Sequence, residues 1–100
     1  MREYKDLPHP INEPEKFNQY LRDHNTVIDD GHSWLTIRNS YIKGQLVVFS
    51  KRSKEDIGDL TLKEWRMLLP IFEVYPGHHI YINDTEDQSI PNRLHFHIKL

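Results

Sequence analysis

The sequence contains no cysteine and only four glycines among its 100 residues. Without thiols the chain cannot form disulfides, iron–sulfur clusters, cysteine-ligated zinc sites or a thiolate nucleophile. It also lacks an apolar run near the ~20 residues that a membrane span needs, and its first residues lack the apolar stretch of a signal peptide. We therefore expect a cytoplasmic protein.

The charge balance and the hydropathy limit the class of protein further. The formal net charge is −2, from 13 basic and 15 acidic residues, and the mean hydropathy is −0.72. This balance argues against nucleic acid or an anionic membrane as the main partner. The length predicts one domain, which we assign to residues 14–100, preceded by an arm at residues 1–13 that carries two prolines amid charges.

Two segments have the periodicity of amphipathic helices. Pro14 suits the first turn of a helix, and apolar residues follow it at helical spacing until about Asn25. Thr61 and Glu64 form a capping box at the start of the second helix. Pro70 interrupts that helix and predicts a kink or an early end within its apolar stripe, which comprises Leu62, Trp65, Leu68, Leu69 and Phe72.

Five segments have the character of strands, at residues 26–28, 33–38, 45–50, 79–82 and 93–100. The segment 45–50 is the most apolar, which predicts a central strand. Turns are expected at residues 29–31 and 76–77, and an acidic loop at 83–89. The pattern predicts an α+β fold, with a mainly antiparallel five-stranded sheet and one or two helices packed on its apolar face.

The last predicted strand alternates between apolar and basic side chains. Period two places His95 and His97 on one face, between Arg93 and Lys99. Two imidazoles flanked by permanent cations suit a phosphate or another oxyanion. The cations should also lower the pKa of the imidazoles and keep them neutral, as a nucleophile requires. From the spacing alone, an ordinary exposed polar face is the simpler interpretation.

Residues 88–98, Gln-Ser-Ile-Pro-Asn-Arg-Leu-His-Phe-His-Ile, resemble the signature of the histidine triad (HIT) superfamily. That signature leads from Gln-Ser/Thr into alternating histidine and hydrophobic residues. Residues 34–39, 43–52 and 57–61 are similar in order and spacing to blocks of the branch that holds fragile-histidine-triad-like and dinucleoside-polyphosphate-processing enzymes. The resemblance spans residues 14–100. It implies a HIT-like fold, a nucleotide or dinucleoside polyphosphate as substrate, a homodimer, and no cofactor or metal.

The resemblance also implies roles for individual residues. His95 takes the place of the nucleophile, which attacks the α-phosphorus of a nucleotide and forms a nucleotidyl-imidazole intermediate. His97 takes the place of the last triad histidine, which contacts the phosphate or the leaving group. The implied activity is that of a nucleotidyl hydrolase or transferase acting on phosphoanhydride or phosphoramidate bonds. The implied substrate-binding residues are Asn39 at the ribose, Asn83 and Ser89 at the phosphate or leaving group, and Gln88 within the motif.

Three positions depart from the family pattern, and one of them is Ser53, which stands where a histidine is common. Arg93 replaces the first histidine; it keeps the backbone carbonyl that orients the nucleophile but cannot exchange a proton near pH 7. It can still neutralise phosphate charge, so we count it as substrate-binding. Gln45 stands where the family usually has an upstream histidine, and we count it as substrate-binding as well. These departures leave open a catalytically silent nucleotide-binding or regulatory module, and a metal site of His79, His95 and His97 is a second alternative.

The basic stretch at residues 51–54 follows the predicted central strand. Its cations suit the outer phosphates of a polyphosphate ligand. An ordinary solvated connection, balanced by the two acidic residues that follow, explains the same composition. The sequence favours the second interpretation.

Overall fold

The computed structural model describes residues 13–38, 44–52, 57–82 and 93–100. Within these ranges the helices are α1, Pro14–His24, and α2, Leu62–Glu73. The strands are β1, Thr26–Asp30, β2, Trp34–Arg38, β3, Gln45–Ser50, β4, His79–Tyr81, and β5, His95–Lys99. They pair antiparallel in the order β1-β2-β3-β5-β4. The predicted α+β class and the central position of β3 are confirmed.

Helix α2 covers one face of the sheet. The even-numbered side chains of β3 and β5 form a core there with Trp34 of β2 and Leu68 of α2. The Trp34 indole Nε1 donates a hydrogen bond of 2.8 Å to the Glu64 carbonyl oxygen, which fixes α2 across the sheet. The predicted capping box is present, because Thr61 Oγ1 accepts from the Glu64 N–H and Glu64 Oε1 accepts from the Thr61 N–H. The face of the sheet that α2 covers is the predicted apolar face.

Helix α1 packs on the opposite face of the sheet and has the predicted bounds. Its Phe17 and Leu21 form a second core with odd-numbered side chains of β2 and β3, namely Leu35, Ile37, Val47 and Phe49. The central strands are therefore buried on both faces. This two-sided burial explains why residues 46–49 form a continuous apolar run rather than an alternating one.

The predicted turn at residues 29–31 is wrong in part, because Asp29 and Asp30 belong to β1. The Asp30 carboxylate binds Arg22 of α1 and Lys51 after β3, which ties this end of the strand to its neighbours. Both contacts lower the pKa of Asp30, and the hydrogen bond from Arg22 contributes most. The pairing of β1 with β2 also shifts register between Val27 and Asp29. The chain reverses only after Asp30.

Helix α2 continues through Pro70 to Glu73, so the early end predicted at Pro70 is wrong. Pro70 and Arg66 both lie on the exposed side, where water can bind the carbonyl that proline leaves without a donor. The buried stripe is also narrower than predicted. Leu62 and Leu69 are 66% and 53% exposed. They lie seven residues apart and therefore on the same edge of the helix, and this edge faces away from the core. None of the described helices is long and apolar enough to cross a membrane.

Thr61→Ala removes the side-chain half of the α2 capping box. We expect the free energy of unfolding to fall by about 1 kcal/mol, because the Glu64 N–H loses its acceptor. Urea denaturation followed by circular dichroism measures this change. Thr61→Ser keeps the hydroxyl and is the control. An alanine variant as stable as the wild type would contradict the capping role.

Candidate active site

Strand β5 lies between β3 and β4, and its alternate side chains point to opposite faces of the sheet. Leu94, Phe96 and Ile98 join the core under α2, whereas His95 and His97 lie on the α1 side. Only 5% of His95 and 8% of His97 is exposed. The interpretation of this side as an ordinary exposed polar face is therefore wrong.

His95 is held by a backbone hydrogen bond and by ring stacking. Its Nδ1 lies 2.8 Å from the carbonyl oxygen of Arg93, and its ring stacks on Phe49 with the centroids 4.9 Å apart. A carbonyl oxygen can only accept, so Nδ1 carries the proton and donates it. The neutral ring then has its lone pair on Nε2. This tautomer suits a nucleophile that attacks through Nε2.

His97 belongs to a ring cluster that spans two neighbouring strands. It stacks on Tyr81 of β4, with centroids 5.0 Å apart and planes within 14°, and meets the His95 ring edge to face at 5.1 Å. The Tyr81 hydroxyl accepts a hydrogen bond of 3.0 Å from Gln45 Nε2 at the start of β3. Three predicted site residues, Gln45, His95 and His97, thus lie together, and Tyr81 joins them.

Tyr81 enters the cluster through strand pairing, since it faces His97 across the β4–β5 ladder. No sequence motif marks it, and only the register between two distant segments reveals it. Gln45 Oε1 is buried and has no hydrogen-bond partner among the described residues. This acceptor is available to a ligand or to a water molecule.

Burial lowers the pKa of both imidazoles. The pKa of His97 falls to about 4, first because the ring is desolvated and second because His95 is close. Burial also lowers the pKa of His95, an effect that its hydrogen bond to the Arg93 carbonyl opposes in part. The predicted direction is confirmed, but the main cause is desolvation rather than the flanking cations. Both rings are neutral at pH 7.

Arg93 points into the protein rather than toward an open surface. It is fully buried, and one terminal nitrogen donates to Asn18 Oδ1 at 2.6 Å and to the Ser50 carbonyl oxygen at 2.9 Å. Its guanidinium carbon lies 4.6 Å from the centre of the Phe17 ring. Burial lowers its pKa to about 10, so it stays protonated at neutral pH. This inward anchoring differs from the substrate contact predicted for the side chain.

The other predicted substrate-binding residues lie outside the described part of the chain; they are Asn39, Asn83, Gln88 and Ser89. Among the described residues, no group of three histidine, cysteine, aspartate or glutamate side chains is placed to hold a metal ion. His79 of β4 is exposed and lies beside Tyr81. The alternative metal site of His79, His95 and His97 is therefore not formed in this arrangement.

Comparisons with known proteins identify the fold. No protein-family profile and no curated protein sequence matches the chain. The structure is similar to a Hit-like protein involved in cell-cycle regulation from Bartonella henselae, with a TM-score of 0.62 and 14% identity, covering 83% of this chain and 76% of that one. It is also similar to a HIT family hydrolase from Legionella pneumophila Philadelphia 1, with a TM-score of 0.57 and 16% identity, covering 76% and 80%. The chain thus has a HIT-like α+β fold.

Arg93→Met keeps an unbranched apolar side chain but removes the donor to Asn18 and Ser50. We expect the free energy of unfolding to fall by about 2–3 kcal/mol, because two buried acceptors lose a charged partner. Chemical denaturation measures the loss. Arg66→Met, on the exposed side of α2, is the control and should change stability by less than about 0.5 kcal/mol. Equal effects of the two substitutions would contradict the anchoring role.

Stability should decrease as the pH falls from 6.5 to 4. The pKa of His97 is about 4 in the folded protein, against an ordinary value of 6.5. The unfolded chain therefore binds more protons in this window, and acid favours unfolding. We expect a loss on the order of 2 kcal/mol from His97, measured by urea denaturation at each pH. His97→Gln should flatten the slope, with His32→Gln as the exposed control; an unchanged slope in His97→Gln would contradict the assignment.

Proposed function

We propose that this chain is a member of the HIT superfamily and acts as a nucleotidyl hydrolase or transferase through a covalent intermediate on His95. The observation that carries the proposal is the hydrogen bond of 2.8 Å from His95 Nδ1 to the Arg93 carbonyl oxygen. It leaves the lone pair of a neutral imidazole on Nε2, the atom that would attack phosphorus. The HIT-like fold, shared with a protein described as a HIT family hydrolase, adds support.

In the proposed reaction, the lone pair of His95 Nε2 attacks the α-phosphorus of a nucleotide. A phosphorus–nitrogen bond forms while the bond to the leaving group breaks, and the leaving group takes that electron pair. The ring becomes cationic, and the Arg93 carbonyl stabilises it at Nδ1–H. Water or another acceptor then attacks the phosphorus, releases its proton to solvent, and displaces the neutral imidazole.

The protonation state of His97 bears on the type of bond that is cleaved. With a pKa of about 4, His97 is no cationic acid at neutral pH, and Arg93 cannot exchange a proton there. A phosphate or nucleotide leaving group departs as a stable anion, whereas an amine must be protonated before it leaves. We therefore favour phosphoanhydrides, such as dinucleoside polyphosphates, over phosphoramidates as substrates.

The remaining contacts rest on the resemblance and on the cluster beside β5. Gln45 would accept a hydrogen bond from the substrate through its buried Oε1. His97 would contact the phosphate or the leaving group. Arg93 would act on His95 through its backbone carbonyl. The other proposed contacts are Asn39 to the ribose, and Asn83, Ser89 and Gln88 near the phosphates. A homodimer and a cytoplasmic location stay predictions.

A catalytically silent nucleotide-binding or regulatory module is the second candidate. Two observations favour it: the small exposed fraction of His95 and His97, and the engagement of the Arg93 side chain within the fold. A nucleotide would then occupy the cluster without being cleaved. The two candidates differ in turnover rather than in binding.

His95→Ala should reduce hydrolysis of a dinucleoside tetraphosphate by at least about a thousandfold, because the nucleophile is lost. Chromatography of the nucleotide products measures the rate. His79→Ala, an exposed histidine on the neighbouring strand, is the control and should retain activity. Residual full activity of His95→Ala would exclude the covalent route.

Mass spectrometry of the wild type, stopped at alkaline pH during turnover, should find one nucleotidyl group on the peptide that carries His95. The alkaline stop is needed because the phosphorus–nitrogen bond is labile in acid. A nucleotide that raises the melting temperature of the wild type without any turnover would instead favour the silent module.

A further inference from the structure

A cavity of about 600 Å³ lies at the end of the sheet where β2 begins and β3 ends. Side chains of α1, of the turn before β2, of the residues after β3 and of the first turn of α2 line it. Its volume falls within the range of about 300–1,000 Å³ that is usual for small-molecule sites. Neither His95 nor His97 contributes to the lining.

Phe17 and Arg93 are fully buried and lie against each other, and neither they nor His95 line this cavity. Two hydrogen bonds fix Asn18 between them and the residues after β3, because its Nδ2 donates to the Lys51 carbonyl oxygen at 3.0 Å and its Oδ1 accepts from Arg93. Asn18 also lines the cavity. Because His95 is not among the lining residues, a molecule bound here would contact Asn18 rather than the ring of the candidate nucleophile.

Among the described residues that line the cavity, four are cationic and two are acidic, although the whole chain has a net charge of −2. Arg22 and Lys51 both bind the carboxylate of Asp30, so one acidic group balances two basic ones. Arg52 and Lys63 form no ion pair with the residues that the structure describes. These two cations, one after β3 and one at the start of α2, suit an anionic group such as a phosphate.

The other lining residues restrict what the anionic group is attached to. The Glu64 carboxylate is engaged in the α2 cap, where it accepts from the Thr61 N–H at 2.9 Å. Glu15 is exposed on the α1 side, and its carboxylate can accept hydrogen bonds from hydroxyl groups. Of the lining residues within the described part of the chain, only His32 carries a ring, and these residues offer a planar base little to stack on. The lining therefore favours one phosphate on a molecule rich in hydroxyls.

We propose that this cavity binds a small phosphorylated polyol of the sugar phosphate class, at a site distinct from His95. Arg52 and Lys63 contact the phosphate, and the N-terminus of α2 beside them adds a favourable dipole. Glu15 accepts hydrogen bonds from the hydroxyl groups. Because His95 does not line this cavity, the proposed binding site does not depend on the proposed catalysis by His95.

Ribose 5-phosphate, added to ¹⁵N-labelled protein at low ionic strength, tests the proposal. We expect saturable shifts of the amide resonances at residues 51–52 and 61–64, while those of His95 and His97 stay in place. Inorganic phosphate should bind about tenfold more weakly, because it lacks the hydroxyl groups, and ribose should not bind. Shifts centred on β5, or equal affinity for inorganic phosphate and ribose 5-phosphate, would overturn the proposal.

Substitutions locate the site. Lys63→Ala and Arg52→Ala should each weaken the binding of ribose 5-phosphate about tenfold, because each removes a charged contact. Arg66→Ala is the matched control, since this exposed cation lies on the same helix outside the cavity lining, and it should bind as the wild type does. His95→Ala should also bind normally. An equal loss in Lys63→Ala and Arg66→Ala would overturn the site, and unchanged unfolding midpoints would confirm that each variant is folded.

Discussion

A charged guanidinium with no exposed surface joins α1, β3 and β5. The Arg93 side chain donates to Asn18 on α1 and to the Ser50 carbonyl on β3, while its own carbonyl accepts from His95 on β5. A buried charge costs several kcal/mol when its hydrogen bonds are missing, so these partners hold their positions together. The orientation of the candidate nucleophile therefore depends on how α1 packs against the sheet.

The same burial determines the chemistry of the imidazoles. His95 and His97 stand in one row of β5, stacked on Phe49 and Tyr81 respectively, and have lost most of their hydration. Desolvation alone is enough to keep them neutral, without any help from flanking cations. In such a poorly hydrated setting, electrostatic interactions with a phosphate are stronger than they are in water. The shielded site thus keeps both imidazoles neutral, which is the state that a nucleophile requires.

Elements that are determined by residues close together in the sequence were predictable from the sequence. The Thr61–Glu64 capping box, the apolar run of β3 and the alternation of β5 each identified an element, and His95 and His97 were assigned to one face. The pattern did not show that α1 covers that face, because period two reports only which side chains share a side. Arg93 meets Asn18 across 75 residues of sequence, and no local pattern reveals such a contact.

The wrong turn prediction and the missed site residue also arise from contacts between residues that are distant in the sequence. Asp29 and Asp30 precede a glycine and resemble a turn, but both residues pair with β2, and Asp30 also binds Arg22 and Lys51. Tyr81 joined the site only through the register of β4 against β5. Tertiary contacts thus decided what local composition left ambiguous.

Strand β1 forms one edge of the sheet, and its register shift interrupts the regular ladder with β2. Near its end it carries the exposed carboxylate of Asp29. An edge strand with a register shift and an exposed charged side chain is a poor template for a strand from another molecule. The protein can therefore leave Val27 and Ile28 about two-fifths exposed on this edge without offering a continuous surface on which aggregation could start.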